Sequence, residues 1–107
     1  MKTLIIAVVA AGSLAGVAHA SATDVQYMQA ARCRGLAASE NLGKVDTAAV
    51  DAFLREEGAG RALDVKTSAI NKMNGAAKDA AGADGNKKAK LLAEREGACA
   101  VYLGGAK

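Results

Sequence analysis

The sequence predicts an all-α protein, a small up-down bundle of three to four helices. Ala, Leu, Glu, Lys and Arg dominate the segments between its glycines, and these residues favour helix. No stretch combines β-branched residues with the strict alternation that is typical of strands. Both cysteines, Cys33 and Cys99, lie on the apolar lines of their predicted helices. Since short connections favour up-down order, the first and last helices should be antiparallel neighbours linked by these cysteines.

The first predicted helix runs from Asp24 to about Glu40. Thr23 suits its N-cap, and Gln26 at the third helical position completes a capping box. Helical spacing places four apolar residues on one face, namely Ala30, Cys33, Leu36 and Ala37.

The second predicted helix begins near Asp46 or Thr47 and stops at Gly58-Ala59-Gly60. Its apolar face consists of Val50, Phe53 and Leu54. The third predicted helix covers about residues 61–81, and its predicted buried line consists of Leu63, Ile70, Met73, Ala77 and Ala80.

The fourth predicted helix runs from about Asn86 to Leu103, after a turn at Asp84-Gly85. Its predicted buried line consists of Ala89, Leu92, Glu96, Cys99 and Leu103. Antiparallel packing on the first helix would bring Tyr102 near Ala30, and Arg95 near Ala37. Three glycines inside the helical patterns predict either close helix packing or helix breaks, and these are Gly35, Gly75 and Gly97.

The first twenty residues predict an export signal that is removed. Lys2 is the basic start, residues 4–17 form an apolar run, and Ala18-His19-Ala20 is a small-x-small cleavage site before Ser21. Cleavage there leaves one domain, residues 21–107, in a bacterial periplasm or the medium. The alternative is an uncleaved anchor, and no later stretch is apolar enough to cross a membrane.

Export to an oxidising compartment predicts a disulfide between Cys33 and Cys99, the only intramolecular pairing available. It would close a 67-residue loop, which corresponds to about 4 kcal/mol of stabilisation from chain entropy. The alternatives are an intermolecular bridge, free thiols or a redox pair, although the chain has no C-x-x-C motif.

The composition lacks most residue types that catalysis and metal binding need. The only His, His19, lies in the predicted signal, and there is no Trp. Glu56 and Glu57 are adjacent and diverge on a helix. Residues 79–90 have neither the Gly nor the final Glu of a calcium loop in the required positions. We therefore expect no enzyme activity, no metal and no cofactor.

The charge of the mature chain is nearly balanced. Removing the signal, which carries Lys2 and no acidic residue, leaves 13 basic and 11 acidic side chains. This balance does not favour nucleic-acid binding, which needs clustered positive charge. One basic cluster at the start of the fourth helix is a candidate partner patch or, alternatively, a solvated helix end: Lys87, Lys88 and Lys90.

The leading functional hypothesis is a small exported helical protein that binds an unknown protein partner or client. Its plan, with an export signal, 87 mature residues, all helix and one disulfide, is similar to that of periplasmic acid-stress chaperones. Acid would protonate every carboxylate and leave a charge of about +13 on the mature chain, loosening a small bundle by self-repulsion. The alternatives are a membrane-active secreted effector and a carrier of a small apolar ligand.

Overall fold

The computed structural model describes residues 22–104, which form four α-helices and no strand. The helices are α1 (Asp24–Ala37), α2 (Ala48–Gly58), α3 (Leu63–Ala81) and α4 (Gly85–Glu96). Consecutive turns over 97–104 follow α4. This architecture confirms the predicted all-α class. The predicted cleavage residues Ala18, Ala20 and Ser21 lie outside the described part of the chain.

The central element is α1, since each of the other three helices packs against it. Its start is the predicted capping box: Gln26 N–H donates to Thr23 Oγ1 at 3.0 Å, and Thr23 N–H donates to Gln26 Oε1 at 2.9 Å. The helix ends at Ala37, three residues before the predicted end. The chain then turns, and Gly43 adopts a φ of +86°, which favours glycine.

Small residues form the interface between α1 and α3. The buried positions of α3 are Ala69, Ala76 and Ala80. A Cβ on Gly35 of α1 would lie well inside contact distance of the Met73 carbonyl oxygen and 3.1 Å from Ala76 Cβ. At Gly35 the two helix backbones therefore approach each other so closely that there is no space for a side chain on α1.

The predicted buried line of α3 is wrong for its largest residues. Leu63 is 79% exposed and Ile70 is 53% exposed, and Ala77 is exposed as well. Two other members of the predicted line do pack inward, since Ala80 is buried and Met73 is half-buried. Ala69 and Ala76, which were not on that line, complete the buried face, and Ala76 lies roughly 100° around the helix from Ala77. The close approach at Gly35 excludes Leu and Ile side chains from the contact and thereby selects the alanine face.

The substitution Gly35→Ala should lower the free energy of unfolding by about 1–2 kcal/mol. Overpacking costs about 1–3 kcal/mol, and the higher helix propensity of Ala offsets up to about 1 kcal/mol of that cost. The matched control is Gly75→Ala on α3, where an added Cβ meets nothing within 4 Å. That control should raise stability by about 0.5–1 kcal/mol. Urea denaturation measures both, and equal effects would contradict the close packing.

The disulfide Cys33–Cys99 is formed, with a Cα–Cα distance of 5.5 Å. It links α1 to the turns after α4. Both cysteines lie in the main core with Leu36 and Leu42, against small side chains of α3 and with Leu91 from α4. A second core cluster surrounds Tyr27 near the start of α1. The predicted link between the first helix and the C-terminal segment is therefore confirmed.

The C-terminal segment departs from the predicted long helix, because α4 ends at Glu96 and Gly97 follows as its C-cap. Ala89 and Glu96, both predicted on the buried line, are exposed, whereas Arg95 is buried. The two predicted proximities hold. The Tyr102 hydroxyl donates to Gln29 Oε1 at 3.2 Å, next to Ala30, and Arg95 reaches the carbonyl of Leu36, next to Ala37.

Candidate binding surface

An apolar line runs along the side of α3 that α1 does not cover. It consists of Leu63, Ile70, Ala77 and Ala81, all exposed, and we call it the α3 outer face. Intervals of seven, seven and four residues keep these side chains on one side of the helix. Because α1 contacts the alanine face, Leu63 and Ile70 remain in water. Thr67 and Asn74, which are exposed and polar, lie between these side chains on the same side of the helix. The face is therefore a line of separate apolar side chains, and it is a candidate interaction surface because its two largest members are aligned and exposed.

Lysines border the α3 outer face on both sides. Lys66 is half-buried along one edge, and Lys78 is exposed along the other. The ion pairs found between described residues involve neither lysine. The long aliphatic stems of lysines can extend the apolar surface while their ammonium groups stay in water. The surface therefore combines an apolar centre with a positively charged edge.

Ion pairs attach α2 and α4 to α1. Arg32 of α1 donates to both carboxylate oxygens of Glu94 on α4, at 2.6 and 2.9 Å. Arg34 of α1 donates to Asp51 on α2 at 2.9 Å. None of the ion pairs within residues 22–104 joins α1 to α3, whose contact is made by small apolar residues.

These pairs hold the carboxylates in their charged forms. The hydrogen bond from Arg32 lowers the pKa of Glu94, and burial opposes that shift. The hydrogen bond from Arg34 lowers the pKa of Asp51, and burial opposes that shift. Thr47 donates to the same carboxylate and lowers its pKa further. Both carboxylates are therefore charged at neutral pH, and the two ion pairs are intact there. In acid the carboxylates are protonated and the ion pairs are lost.

The predicted partner patch lies in the first turns of α4. Lys87 and Lys90 are exposed and Lys88 is half-buried. Lys87 and Lys90 are three residues apart and share a face, whereas Lys88 points roughly 100° away from Lys87. The three ammonium groups therefore do not converge on one point, and the assignment as a partner patch stays a prediction.

The hollows of the described surface are open rather than enclosed. One of about 250 Å³ lies between α1 and α3, with Val25, Met28 and Lys72 in its lining. Another of about 410 Å³ lies beside Arg95 and Leu103. Small-molecule sites are typically concave cavities of about 300–1,000 Å³ that enclose most of their ligand. The geometry therefore favours binding on an exposed surface over a buried ligand.

Within residues 22–104, no three His, Cys, Asp or Glu side chains are grouped as a metal site. No helix of that part of the chain combines the length and hydropathy that crossing a bilayer requires. Comparison of the chain with protein-family models, curated proteins and solved structures finds no match. The chemistry of the α3 outer face, which has exposed apolar side chains bordered by lysines, is therefore the main indication of function. The sequence pattern predicts burial for three of its residues, Leu63, Ile70 and Ala77, and makes no prediction for Ala81.

Proposed function

We propose that this protein is an exported helical binding protein that holds apolar segments of unfolded polypeptides on the α3 outer face. The observation that carries the proposal is the exposure of Leu63 and Ile70 on one line of α3. Burying one such side chain against a client contributes about 1.5–3 kcal/mol. The buried disulfide supports export to the periplasm or the medium, because disulfides persist in oxidising compartments.

Binding should strengthen in acid. The pKa values of Glu94 and Asp51 are lowered in the folded protein. Their ion pairs therefore stabilise the fold fully above the ordinary carboxyl pKa of about 4. This stabilisation is lost as the pH falls through the lowered pKa values. Losing those pairs, each about one-third exposed and worth about 0–1 kcal/mol, weakens the attachment of α2 and α4 to α1. The disulfide keeps the C-terminal segment attached to α1. Half-buried residues such as Leu54 and Met73 then add to the apolar surface.

The test is suppression of aggregation of a chemically unfolded model client, followed by light scattering at pH 7 and pH 3. We expect the protein to suppress scattering, more strongly at pH 3. The double substitution Leu63→Gln/Ile70→Gln should weaken this effect about a hundredfold at pH 7, the equivalent of about 3 kcal/mol for the two side chains. The matched control is Val25→Gln/Val101→Gln, at residues that are 62% and 68% exposed elsewhere on the surface.

The control variant should keep full suppression, and circular dichroism at pH 7 should show both variants as helical as the parent. Equal losses in the two variants would exclude the α3 outer face as the binding surface. A parent protein that leaves client scattering unchanged at both pH values would refute the proposal itself.

Lipid binding is the second candidate function, because Lys66 and Lys78 border an apolar helix face. Interfacial helices combine an apolar side with basic residues that attract anionic lipid. Co-sedimentation with phosphatidylglycerol vesicles tests this function on the same variants. One outcome would favour lipid over polypeptide: the parent binds vesicles but does not protect the client, and Leu63→Gln/Ile70→Gln abolishes vesicle binding. The partner of the α3 outer face would then be a membrane surface.

A further inference from the structure

The α3 outer face is not covered by any helix that the structure describes. Of those helices, only α1 packs extensively against α3, and it contacts the alanine face. Leu63 and Ile70 are each more than half exposed. The helix has 19 residues, so a line along it extends over about 27 Å. Large apolar side chains aligned over such a length favour association with a second apolar surface.

The two ends of the α3 outer face differ in side-chain size. Leu63 and Ile70 lie in its first half, and Ala77 and Ala81 lie in its second half. In a parallel pair of such helices, the large residues would meet at one end and hold the alanines apart at the other, which leaves a gap. An antiparallel pair centred on Asn71 leaves no such gap. It places Leu63 of each helix midway between Ala77 and Ala81 of the other, as a knob in a hole of small residues.

Two charges on one edge of the α3 outer face fit the same antiparallel pair. Asp64 and Lys78 are exposed and lie within about 40° of each other around the helix. Asp64 lies seven residues before Asn71, and Lys78 lies seven residues after it. Two-fold symmetry therefore brings each Asp64 opposite Lys78 of the other copy. Neither side chain takes part in the ion pairs found within residues 22–104. In a parallel pair, like charges would be neighbours instead.

We propose that the α3 outer face binds the same face of a second copy of this chain, in an antiparallel two-fold dimer centred on Asn71. Side-chain size and charge each select this arrangement. One pair of 19-residue helices buries less than the about 800 Å² per partner that is typical of stable complexes. The dimer is accordingly weak, with a dissociation constant on the order of 10–100 µM.

The dimer has a consequence for client binding, and this consequence rests on the proposed function. The dimer covers Leu63 and Ile70, the side chains that would hold a client, so a second copy and a client compete for one surface. Because the dimer is weak, dilution or an abundant client shifts the equilibrium towards the monomer by mass action. The protein thus covers its own apolar face in the absence of clients and uncovers it in their presence.

Sedimentation equilibrium of the parent chain at pH 7, between about 1 and 300 µM, should show a reversible monomer–dimer equilibrium. Asp64→Lys and Lys78→Asp each place like charges opposite each other twice per dimer, so each should weaken the homodimer about tenfold. An equal mixture of the two variants should associate about as tightly as the parent, because the mixed dimer contains two opposite-charge pairs. The matched control Lys72→Asp, exposed on the side of α3 opposite Leu63, should dimerise like the parent. Circular dichroism should show every variant as helical as the parent.

Two results would overturn the dimer: a parent that stays monomeric at about 300 µM, and a mixture of the charge variants that associates no better than either variant alone. Above the dissociation constant, Asp64→Lys should protect a client better per molecule than the parent, and equal protection would contradict the competition. No client is present in the sedimentation experiment, so the two proposals fail separately. A dimer that protects no client refutes the proposed function alone, and a monomeric parent that protects clients refutes the dimer alone.

Discussion

Replacing both cysteines, as in Cys33→Ala/Cys99→Ala, is expected to lower the free energy of unfolding by about 4 kcal/mol. The disulfide joins residues 66 positions apart, and chain entropy gives about 4 kcal/mol for a loop of that length. A domain of this size has a total stability of about 5–10 kcal/mol. The buried core around the disulfide is small, and its only large side chains are three leucines, Leu36, Leu42 and Leu91. The variant should therefore be only marginally folded at 25 °C.

Urea denaturation with a far-ultraviolet readout measures this loss. The control is the parent chain, reduced under denaturing conditions and then refolded in reductant, which should approach the stability of the variant. Reductant should leave the variant unchanged. A loss below about 1 kcal/mol would mean that helix packing, rather than the link between α1 and the C-terminal segment, provides most of the stability.

The substitution Arg95→Met is expected to cost about 2–3 kcal/mol. The buried guanidinium of Arg95 donates to three carbonyl oxygens: Gly43 at 2.7 Å, Leu42 at 3.0 Å and Leu36 at 3.3 Å. Leu36 is in the last turn of α1, where the helix dipole favours a positive charge. Met fills much of the same volume and leaves those carbonyls without their donor, which costs about 1–3 kcal/mol for a buried group.

The matched control for this prediction is Arg55→Met on the exposed side of α2, which should change stability by less than about 0.5 kcal/mol. Arg95→Lys should be intermediate, because one ammonium group cannot reproduce the fork of a guanidinium. Hydrogen exchange gives a local readout: the Val45 N–H, which donates to Ala37 O at 2.9 Å, should lose protection in Arg95→Met. Equal losses for Arg95→Met and Arg55→Met would contradict the proposed anchoring role.

Local signals in the sequence predict several features correctly. The capping box of Thr23 and Gln26 depends only on residues three apart, and the structure contains it. The glycine at the end of α2 terminates that helix at Gly58, as predicted. The disulfide follows from a count of two cysteines and from helical periodicity on α1. Each of these features is decided by residues that are near in the chain or unique in it.

Features that depend on the distance between helices were not predictable in the same way. Gly35 can be explained by close packing, yet the sequence does not show which face of α3 approaches it, and hydrophobicity favoured Leu63 and Ile70 over the alanines. The burial of Arg95 was missed because a charged side chain is ordinarily assigned to solvent. Its partners are backbone carbonyls more than fifty residues away, and side-chain patterns carry no information about them.

The α3 outer face was therefore found only through the structure. The sequence contains an apolar line at helical spacing, but periodicity alone does not distinguish a line buried by a neighbouring helix from a line left exposed. The helix α3 also has a second apolar face, made of alanines, and this face forms the contact with α1. The line through Leu63 and Ile70 stays exposed because the alanine face already makes that contact.

The central position of α1 also constrains the order in which the fold can form. This helix is synthesised before the other three, yet its most extensive partner is α3, and its covalent partner Cys99 lies 66 positions further along the chain. Its contacts are therefore long-range in sequence, and such contacts form only after the intervening chain has been delivered. A chain synthesised only as far as α2 has α1 without the α3 and α4 residues that pack against Leu36 and Cys33. The packing of α1 is accordingly completed late, because it waits for α3 and for the segment that carries Cys99.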